Sequence, residues 1–289
     1  MEAITQFCET YMNPLVLAFT VLNLLSMGLQ VNIPKVVKKL SNIKIVLLIL
    51  FWGWVVGPAL GYLIIYTLPM AEPFANVVLL TALAPCAPFL QLVVGKAKGD
   101  VDFAGALIPL TALGTVVFMP LVAPYMITGI TISAMALAKP LIITILIPLL
   151  IGALLKTYAD KLADKLFQPV KKLAALSTVL TIIFALVIYT DEMIETAGSF
   201  ALLSMTIFMI ALGALAYQFG FGLQRNESSV MSLGMGTRNI AAVFAAVLAI
   251  PEGDPRMMAM VIMWTLWSVI LALIFAIFFS KKEKNRQIQ

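Results

Sequence analysis

Long runs of apolar residues recur along the whole chain and constrain its fold more than any other feature. Nine runs of about twenty residues show no alternation between apolar and polar positions, and this predicts membrane-spanning helices. Only helices and closed barrels satisfy their backbone hydrogen bonds in lipid, and barrel strands alternate. We therefore predict a single all-α membrane domain over 1–289. The predicted spans are 14–31, 43–66, 75–94, 103–127, 138–156, 172–190, 199–220, 228–250 and 257–279.

The composition excludes a water-soluble domain and gives no reason to expect a nucleic-acid partner. The chain is 62% hydrophobic and only 11% charged. A soluble domain carries about 25% charged residues. The net charge of +5 comes from lysines and arginines in the loops between apolar runs, where membrane topology explains them. The bilayer is therefore the expected surrounding, and no oligomer is required.

The loop charges predict the orientation of the chain in a cell membrane. With the N-terminus outside, sixteen of the nineteen basic residues fall in cytoplasmic loops or in the basic tail 280–289, and only Lys139 and Arg256 fall outside. Cytoplasmic loops are enriched in lysine and arginine, so this pattern predicts an outer N-terminus and a cytoplasmic C-terminus in an inner membrane. The predicted outer loops carry acidic residues, namely Glu2, Glu9, Glu72, Asp191, Glu192, Glu195, Glu252 and Asp254.

Two spans carry residues that disfavour a continuous helix. In span 75–94, Pro85 and Pro88 remove two backbone donors and clash with the preceding turn. Span 228–250 contains Gly234 and Gly236, followed directly by three polar residues. Non-helical backbone at membrane depth survives only where protein or a water-filled cavity covers it. We predict that both helices are interrupted; the alternative is that these residues only kink two packed helices.

The positions of the two unusual spans predict a repeat. If the first half lacks its opening helix, residues 1–127 form one repeat and 138–279 form the second, with spans 75–94 and 228–250 in equivalent positions. Five steps along the span order separate them, so they run in opposite senses. Interrupted helices at matching positions of two inverted repeats are typical of binding sites in secondary transporters.

Arg238 is the basic residue that remains after the loops are counted, and it lies in the middle of span 228–250. A charge at the bilayer centre costs roughly 3 kcal/mol on insertion scales. No predicted span holds an acidic residue to pair with it. The functional interpretation is an anion site, or a fixed positive charge where relatives bind a cation. The structural interpretation is an arginine that stabilises unwound backbone through carbonyl oxygens.

Neutral polar residues near the two interruptions are further candidates for a binding site. The stronger ones share the predicted depth of Arg238, and Asn23 lies in the first span. The full set of candidates is Arg238, Asn239, Thr237, Gln91, Gly234, Gly236, Ser232, Pro85, Cys86, Pro88, Thr81 and Asn23. The four tryptophans are expected to face lipid or the membrane interface. Catalysis needs a base beside a nucleophile, and the chain has no histidine, so we do not predict an enzyme.

Four segments carry a resemblance to a known family. They are Ser26-Met27-Gly28-Leu29 before a basic loop, the proline-broken span running into Lys96-Ala97-Lys98-Gly99-Asp100, Ile147-Pro148 through Gly152, and Gly234 through Asn239. In their order and spacing the chain resembles the bile acid:sodium symporter family, in a superfamily that also holds arsenite efflux permeases. The resemblance implies a panel domain, a core domain, and two discontinuous helices that cross at the substrate and sodium sites.

The chain departs from that family at the positions implied to bind sodium. Gly234 and Arg238 stand where sodium-coupled relatives carry a glutamate and a glutamine, and Leu90-Gln91 replaces a Ser-Asn pair. We therefore expect no cofactor, with sodium coupling disfavoured, and transport of a small organic anion by alternating access. The alternative is a metalloid permease of the arsenite type that uses Cys86.

Overall fold

The computed structural model describes residues 2–129, 132–251 and 253–286, and it is all-α within them apart from one isolated backbone bridge. Glu252 and the last three residues of the predicted tail lie outside the described residues. Thirteen helices, numbered α1 to α13 in chain order, form in this part. They are Glu2–Gly28, Ile33–Leu40, Ile43–Thr67, Glu72–Ala82, Leu90–Ala97, Val101–Met126, Ala134–Tyr158, Asp160–Ile188, Thr190–Gly198, Ala201–Gln218, Arg225–Gly236, Ile240–Leu248 and Pro255–Arg286.

Seven of the described helices are long and apolar enough to cross a membrane: α1, α3, α6, α7, α8, α10 and α13. The two predicted spans missing from this set are the ones expected to be interrupted, and each is divided into two shorter helices. Two starts differ from the prediction by twelve residues, because α8 begins at Asp160 instead of residue 172 and α1 begins at Glu2 instead of residue 14. Residues 2–12 contain no glycine or proline that would stop a helix, so the chain extends it outward.

Helices α1, α7 and α8 pack together as one group, which we call the α1 group. Its closest approach is between glycines: a Cβ added to Gly28 would lie 2.9 Å from the Cα of Gly152 and would also meet the carbonyl of Leu149. Small residues allow helix backbones in membranes to approach this closely. The sequence segment ending in Gly28 therefore serves helix packing.

Helix α3 contains a π-helical turn at Trp52–Val56, immediately before Gly57-Pro58. Because Pro58 has no backbone N–H, the helix cannot close its regular ladder there and widens by one residue. Within this turn a Cβ on Gly53 would lie 3.2 Å from the ring of Pro85, and the indole of Trp54 donates to the carbonyl of Leu83 at 3.1 Å. The widened turn thus covers the first interrupted span.

Charged residues separate to the two ends of the helix bundle. Helices α1, α8 and α13 each begin or end near lysines at one end, called the basic face, and near acidic residues at the other, called the acidic face. On the basic face, Lys39 binds Glu227 at 2.6 Å and Asp100 at 3.3 Å. Burial by itself lowers the pKa of Lys39, but these two carboxylates outweigh it and raise the pKa above its ordinary value of 10.5.

The acidic face carries an ion pair of its own. Arg256 binds Glu195 of α9 at 3.0 Å and Asp254 at 2.7 Å. The hydrogen bond from Arg256 lowers the pKa of Asp254, although partial burial opposes the shift. Each face thus has an ion pair that joins a short connecting helix to the start of a long one. On the basic face Lys35 of α2 binds Asp102 of α6 at 2.9 Å, and on the acidic face Glu195 of α9 binds Arg256 of α13.

Candidate functional site

The first interruption separates α4, which ends at Ala82, from α5, which begins at Leu90. Both predicted prolines lie in the gap. Between them Cys86 adopts a φ of 71°, a left-handed conformation that non-glycine residues seldom take. The predicted break of this span is confirmed, and proline chemistry is sufficient to cause it.

The second interruption separates α11, which ends at Gly236, from α12, which begins at Ile240. Thr237 has extended backbone, and Asn239 caps α12 by accepting a hydrogen bond from the N–H of Ala242 at 3.3 Å. The predicted break of this span is also confirmed. It contains no proline, so something other than a missing donor must end α11.

The two interruptions are joined by hydrogen bonds between their backbones. Cys86 donates its N–H to the carbonyl of Thr237 at 3.0 Å, and Asn239 donates to the carbonyl of Ala84 at 2.8 Å. Pro85 and Arg238 thereby form an antiparallel bridge. The hydroxyl of Thr237 adds a third link by accepting from the N–H of Ala87 at 3.2 Å. Each interruption leaves backbone N–H and carbonyl groups without a partner in its own helix, and the other interruption supplies those partners.

Arg238 is fully buried, with 0% of its surface exposed. Its Nη2 donates to the carbonyl of Met235 at 2.7 Å, and its guanidinium lies 4.5 Å from the centre of the Phe208 ring. Nη2 would also lie 3.8 Å from a Cβ on Gly57. The guanidinium is therefore enclosed by α3, α10 and α11, and the absence of a side chain at Gly57 leaves room for it.

The charge of Arg238 is incompletely compensated. Its Nε and Nη1 have no hydrogen-bond partner, and among the described residues no other charged side chain is buried. The aromatic ring of Phe208 offers a cation–π contact, which is weaker than a carboxylate partner. A buried cation with two free donors therefore sits directly beside the paired interruptions, and it attracts negative charge from its surroundings.

A cavity of about 310 Å³ borders Arg238 on the side of the α1 group. It is mostly apolar, and its polar lining consists of Asn23, Thr178, Lys96 and Thr265 together with Arg238. A second cavity, of about 430 Å³, continues toward the basic face and shares Asn23, Pro88, Phe89 and Leu92 with the first. We call the two together the basic-face cavity. Its second part adds Gln91 and Lys171 to the lining, and neither part is lined by an acidic residue.

A family comparison agrees with this arrangement. The model of the sodium bile acid symporter family matches residues 16–196, more than half of the chain. The chain belongs to this family. This is a family of secondary transporters and not of enzymes. The matched residues include the first interruption and end before the second.

Curated relatives of this symporter-family transporter carry related descriptions. A probable sodium/metabolite cotransporter of Arabidopsis thaliana, BASS3, chloroplastic, is 26% identical over 200 residues, covering 68% of this chain and 46% of the relative. The protein of the same name from Oryza sativa subsp. japonica is 27% identical over 219 residues, covering 73% of this chain and 52% of the relative. The chain spans about half the length of these curated relatives.

The predicted site residues of this transporter divide into three sets. Asn23, Pro88, Gln91 and Arg238 border the basic-face cavity. Thr237, Asn239, Pro85 and Cys86 form the paired interruptions. Gly234, Gly236, Ser232 and Thr81 are buried in the helices that lead into them.

Three members of the third set, Gly234, Gly236 and Ser232, serve packing, whereas the buried Thr81 hydroxyl has no hydrogen-bond partner. A Cβ on Gly234 would collide with Leu107, and one on Gly236 would lie 3.1 Å from the carbonyl of Met209. Ser232 donates its hydroxyl to the carbonyl of Gly213 at 2.7 Å. These contacts let α11 lie close to α6 and α10, and they leave none of the three free for a ligand.

Several cavity residues were not among the predicted candidates. In the sequence analysis Lys96 and Lys171 were used only to predict the orientation of the chain in the membrane. Nothing in the sequence singled out Phe89, Phe167 or Thr178. The charge pattern could have marked the two lysines, because each lies at the end of a predicted span. Nothing in one sequence indicates that α5 and α8 face each other across a cavity.

The tryptophan prediction is wrong for two residues. Trp52 is 4% exposed and Trp264 is 0% exposed, so both are buried in protein instead of facing lipid. Trp264 packs edge to face on Phe208, the same ring that lies under the guanidinium of Arg238, with ring centres 6.0 Å apart. Aromatic residues from α10 and α13 therefore form the floor of the charged site.

Cys86 is a buried free thiol, as is Cys8. Its sulfur lies 3.9 Å from the carbonyl of Ala87. No group of three or more metal-binding side chains occurs among the residues described. Metalloid export through Cys86 stays a hypothesis, and no contact in this part of the chain adds to it.

Proposed function

We propose that this transporter carries a small organic anion by alternating access, with the basic-face cavity as its substrate path. The observation that carries the proposal is the charge of this cavity. Three cationic residues border it, none of its lining residues is acidic, and the cation nearest the interruptions is buried with free donors. Such a path favours a negatively charged solute over a positively charged one.

The electrostatic effect is large enough to select an anion. Two unit charges about 7 Å apart interact by roughly 2 kcal/mol at an effective dielectric constant of about 20. The apolar part of the lining, which includes Phe19, Phe89 and Leu92, suits the hydrocarbon part of an organic acid. We infer that a carboxylate sits toward Arg238 and the apolar body against the α1 group.

The mechanism we propose uses two inverted repeats. Residues 1–127 and 138–279 each supply one interrupted helix, and these helices cross in the core while α1, α7 and α8 form the panel. The separate packing of the α1 group and the hydrogen bonds between the interruptions support this division. The panel and core would rock against each other, exposing the crossing to one side of the membrane at a time.

Nine crossings with the basic face in the cytoplasm and the N-terminus outside complete the proposed topology. The ends of the helices support it, because the lysines other than Lys139 lie at one end of the bundle, whereas acidic residues outnumber basic ones at the other. For a bacterial chain this would be the inner membrane. Both curated relatives are described as chloroplastic proteins.

We further propose that the fixed charge of Arg238 takes the place of a bound cation, so that transport does not require sodium. The buried interior described here contains a positive charge and no carboxylate to bind Na⁺. The two curated relatives are described as probable sodium/metabolite cotransporters, whereas this sequence departs at Gly234 and Arg238 from the sodium-coupled pattern of the family it resembles. Uptake in sodium buffer and in choline buffer should then be equal.

Uptake of labelled small carboxylates into proteoliposomes tests the function. Arg238→Ala should reduce uptake by about tenfold or more, since it removes roughly 2 kcal/mol of attraction. The matched control is Arg256→Ala, which removes an arginine at the acidic face, away from the cavity. If Arg238→Ala takes up carboxylates at the wild-type rate, the charge of Arg238 has no role in transport. A protein that transports cations and no carboxylate would contradict the proposed substrate class.

A further inference from the structure

Two further cavities lie toward the acidic face, on the other side of the interruptions. The deeper one, of about 320 Å³, is lined by α1, α7 and α12, with Thr20, Pro140 and Ala245 among its residues. The outer one, of about 460 Å³, is lined by Glu9, Tyr189 and Asp254. The two share Leu248 and are called the acidic-face cavity.

The basic-face and acidic-face cavities approach each other along the same two helices. On α1, Phe19 lines the former and Thr20 the latter. On α12, Ala241 lines the former and Ala245 the latter. The lining positions on α12 are four residues, or about one helical turn, apart. Those on α1 are adjacent residues, which project from different faces of the helix at nearly the same height.

One aromatic pair occupies the separation. Phe244 lies between Ala241 and Ala245 in the sequence, and its ring contacts that of Phe19 edge to face, with centres 5.8 Å apart and planes at 76°. Both side chains are buried, at 2% and 8% exposure. The pair joins the α1 group to the helix that begins at the second interruption.

We propose that Phe19 and Phe244 form the gate between the two cavities. The proposal rests on the proposed function, because a gate is meaningful only for a path that a solute follows. Two hydrocarbon rings offer no hydrogen bond to an anion, so a solute must shed water to pass while the pair is closed. An edge-to-face contact is a weak attraction, and it separates readily when the panel moves against the core.

Cysteine labelling from the acidic-face side tests the gate. The reporter is Ala241→Cys, which lies beyond the pair as seen from that side, in full-length protein reconstituted in vesicles. The probe is a charged, membrane-impermeant methanethiosulfonate, and labelling of the parent protein with its two buried cysteines is subtracted. Phe19→Ala and Phe244→Ala should each raise the labelling rate by about tenfold, because truncating either ring opens the separation.

Two controls make the result specific. Phe184→Ala breaks another edge-to-face pair, with Phe7, whose rings line none of the four cavities, and it should leave reporter labelling unchanged. An Ala245→Cys reporter lies on the acidic side of the pair and should label at the same rate with or without Phe244→Ala. Labelling of Ala241→Cys from the basic face verifies that each variant is folded.

The outcomes separate the gate from the proposed function. Unchanged acidic-side labelling in both alanine variants, with normal basic-side labelling, would overturn the gate. Increased labelling in a protein that takes up no carboxylate would support the barrier between the cavities and would reject the substrate class instead. An equal increase in Phe184→Ala would show general loosening and would also overturn the gate.

Discussion

The two interruptions reach the same result by different means. In the first, seven residues between α4 and α5 include two prolines, and local chemistry alone prevents a helix. In the second, three residues between α11 and α12 include none, and the break is held by bonds to the first interruption through Thr237 and Asn239. One break is local in origin and the other is tertiary.

This difference assigns separate roles to neighbouring residues of the second interruption. The Thr237 hydroxyl and the side-chain oxygen of Asn239 are hydrogen-bonded within the protein. Arg238, which lies between them, does not. We expect the first two to stabilise the fold and the third to reduce stability in favour of function, as strained functional sites commonly do.

The largest effect is expected from Arg238→Met, which removes the buried charge and keeps an apolar chain against Phe208. Replacing buried charge by apolar residues of similar volume is often neutral or stabilising by about 1–4 kcal/mol. The variant should therefore unfold at a higher temperature in detergent while anion uptake is lost. Arg256→Met, at an exposed ion pair, serves as the control and should change stability little.

A lower unfolding temperature for Arg238→Met would reverse this assignment. It would mean that the bond to the carbonyl of Met235 matters more than the unpaired donors, and that Arg238 is the structural brace considered in the sequence analysis.

The next effect in size concerns Thr237→Val. The change keeps the shape but leaves the buried N–H of Ala87 without its acceptor, which costs about 1–3 kcal/mol. Thr81→Val is the matched control in the first interrupted span, because the Thr81 hydroxyl is buried without a partner. Thermal unfolding should show a loss only for the former, with recovery in Thr237→Ser. Equal losses at both positions would show that the hydroxyl link is unimportant.

A smaller loss is expected for Asn239→Ala. The change removes the cap of α12, and caps contribute about 1 kcal/mol. Asn239→Asp keeps an acceptor at the same position and should retain most of the stability. If both variants unfold like the wild type, the backbone bond from Asn239 to Ala84 is sufficient without the side chain.

The smallest effect involves Lys39, which joins Glu227 at the start of α11 to Asp100, just beyond the end of α5. Because its folded pKa lies above 10.5, its contribution is fully present below that pH and is lost as pH rises through the folded value. Lys39→Met should cost below about 1 kcal/mol at neutral pH, since the pair is partly exposed. Unfolding curves of the two proteins should converge in strongly alkaline buffer; a constant difference would contradict the ion pair.

Much of the fold follows from the sequence. Hydropathy located every long helix, and the prolines located the first break, because these signals act within a few residues. The glycines and polar residues marked the region of the second break, but contacts with the first interruption hold it. The starts of α1 and α8 were misplaced because a polar segment can continue a helix past the apolar run. The burial of Trp52 and Trp264 was missed because hydropathy does not say which side of a helix meets lipid and which meets protein.

The site was only partly predictable for a related reason. Arg238 stood out because a charge inside an apolar run is costly wherever it lies. Lys96, Lys171 and Thr178 did not, because their importance comes from helices distant in sequence that line one cavity. The family match covers only the first interruption, so the second was placed beside it by the tertiary structure.

By itself the sequence determined that this protein spans a membrane, that two of its apolar runs are unsuited to a continuous helix, and that one arginine lies inside such a run. These properties depend on the transfer of single residues into lipid and on backbone groups that proline and glycine change locally. Only the tertiary structure decided that the two breaks satisfy each other, that the guanidinium keeps two free donors, and that Phe19 meets Phe244 between two cavities. Those depend on contacts between distant segments, which no local signal specifies.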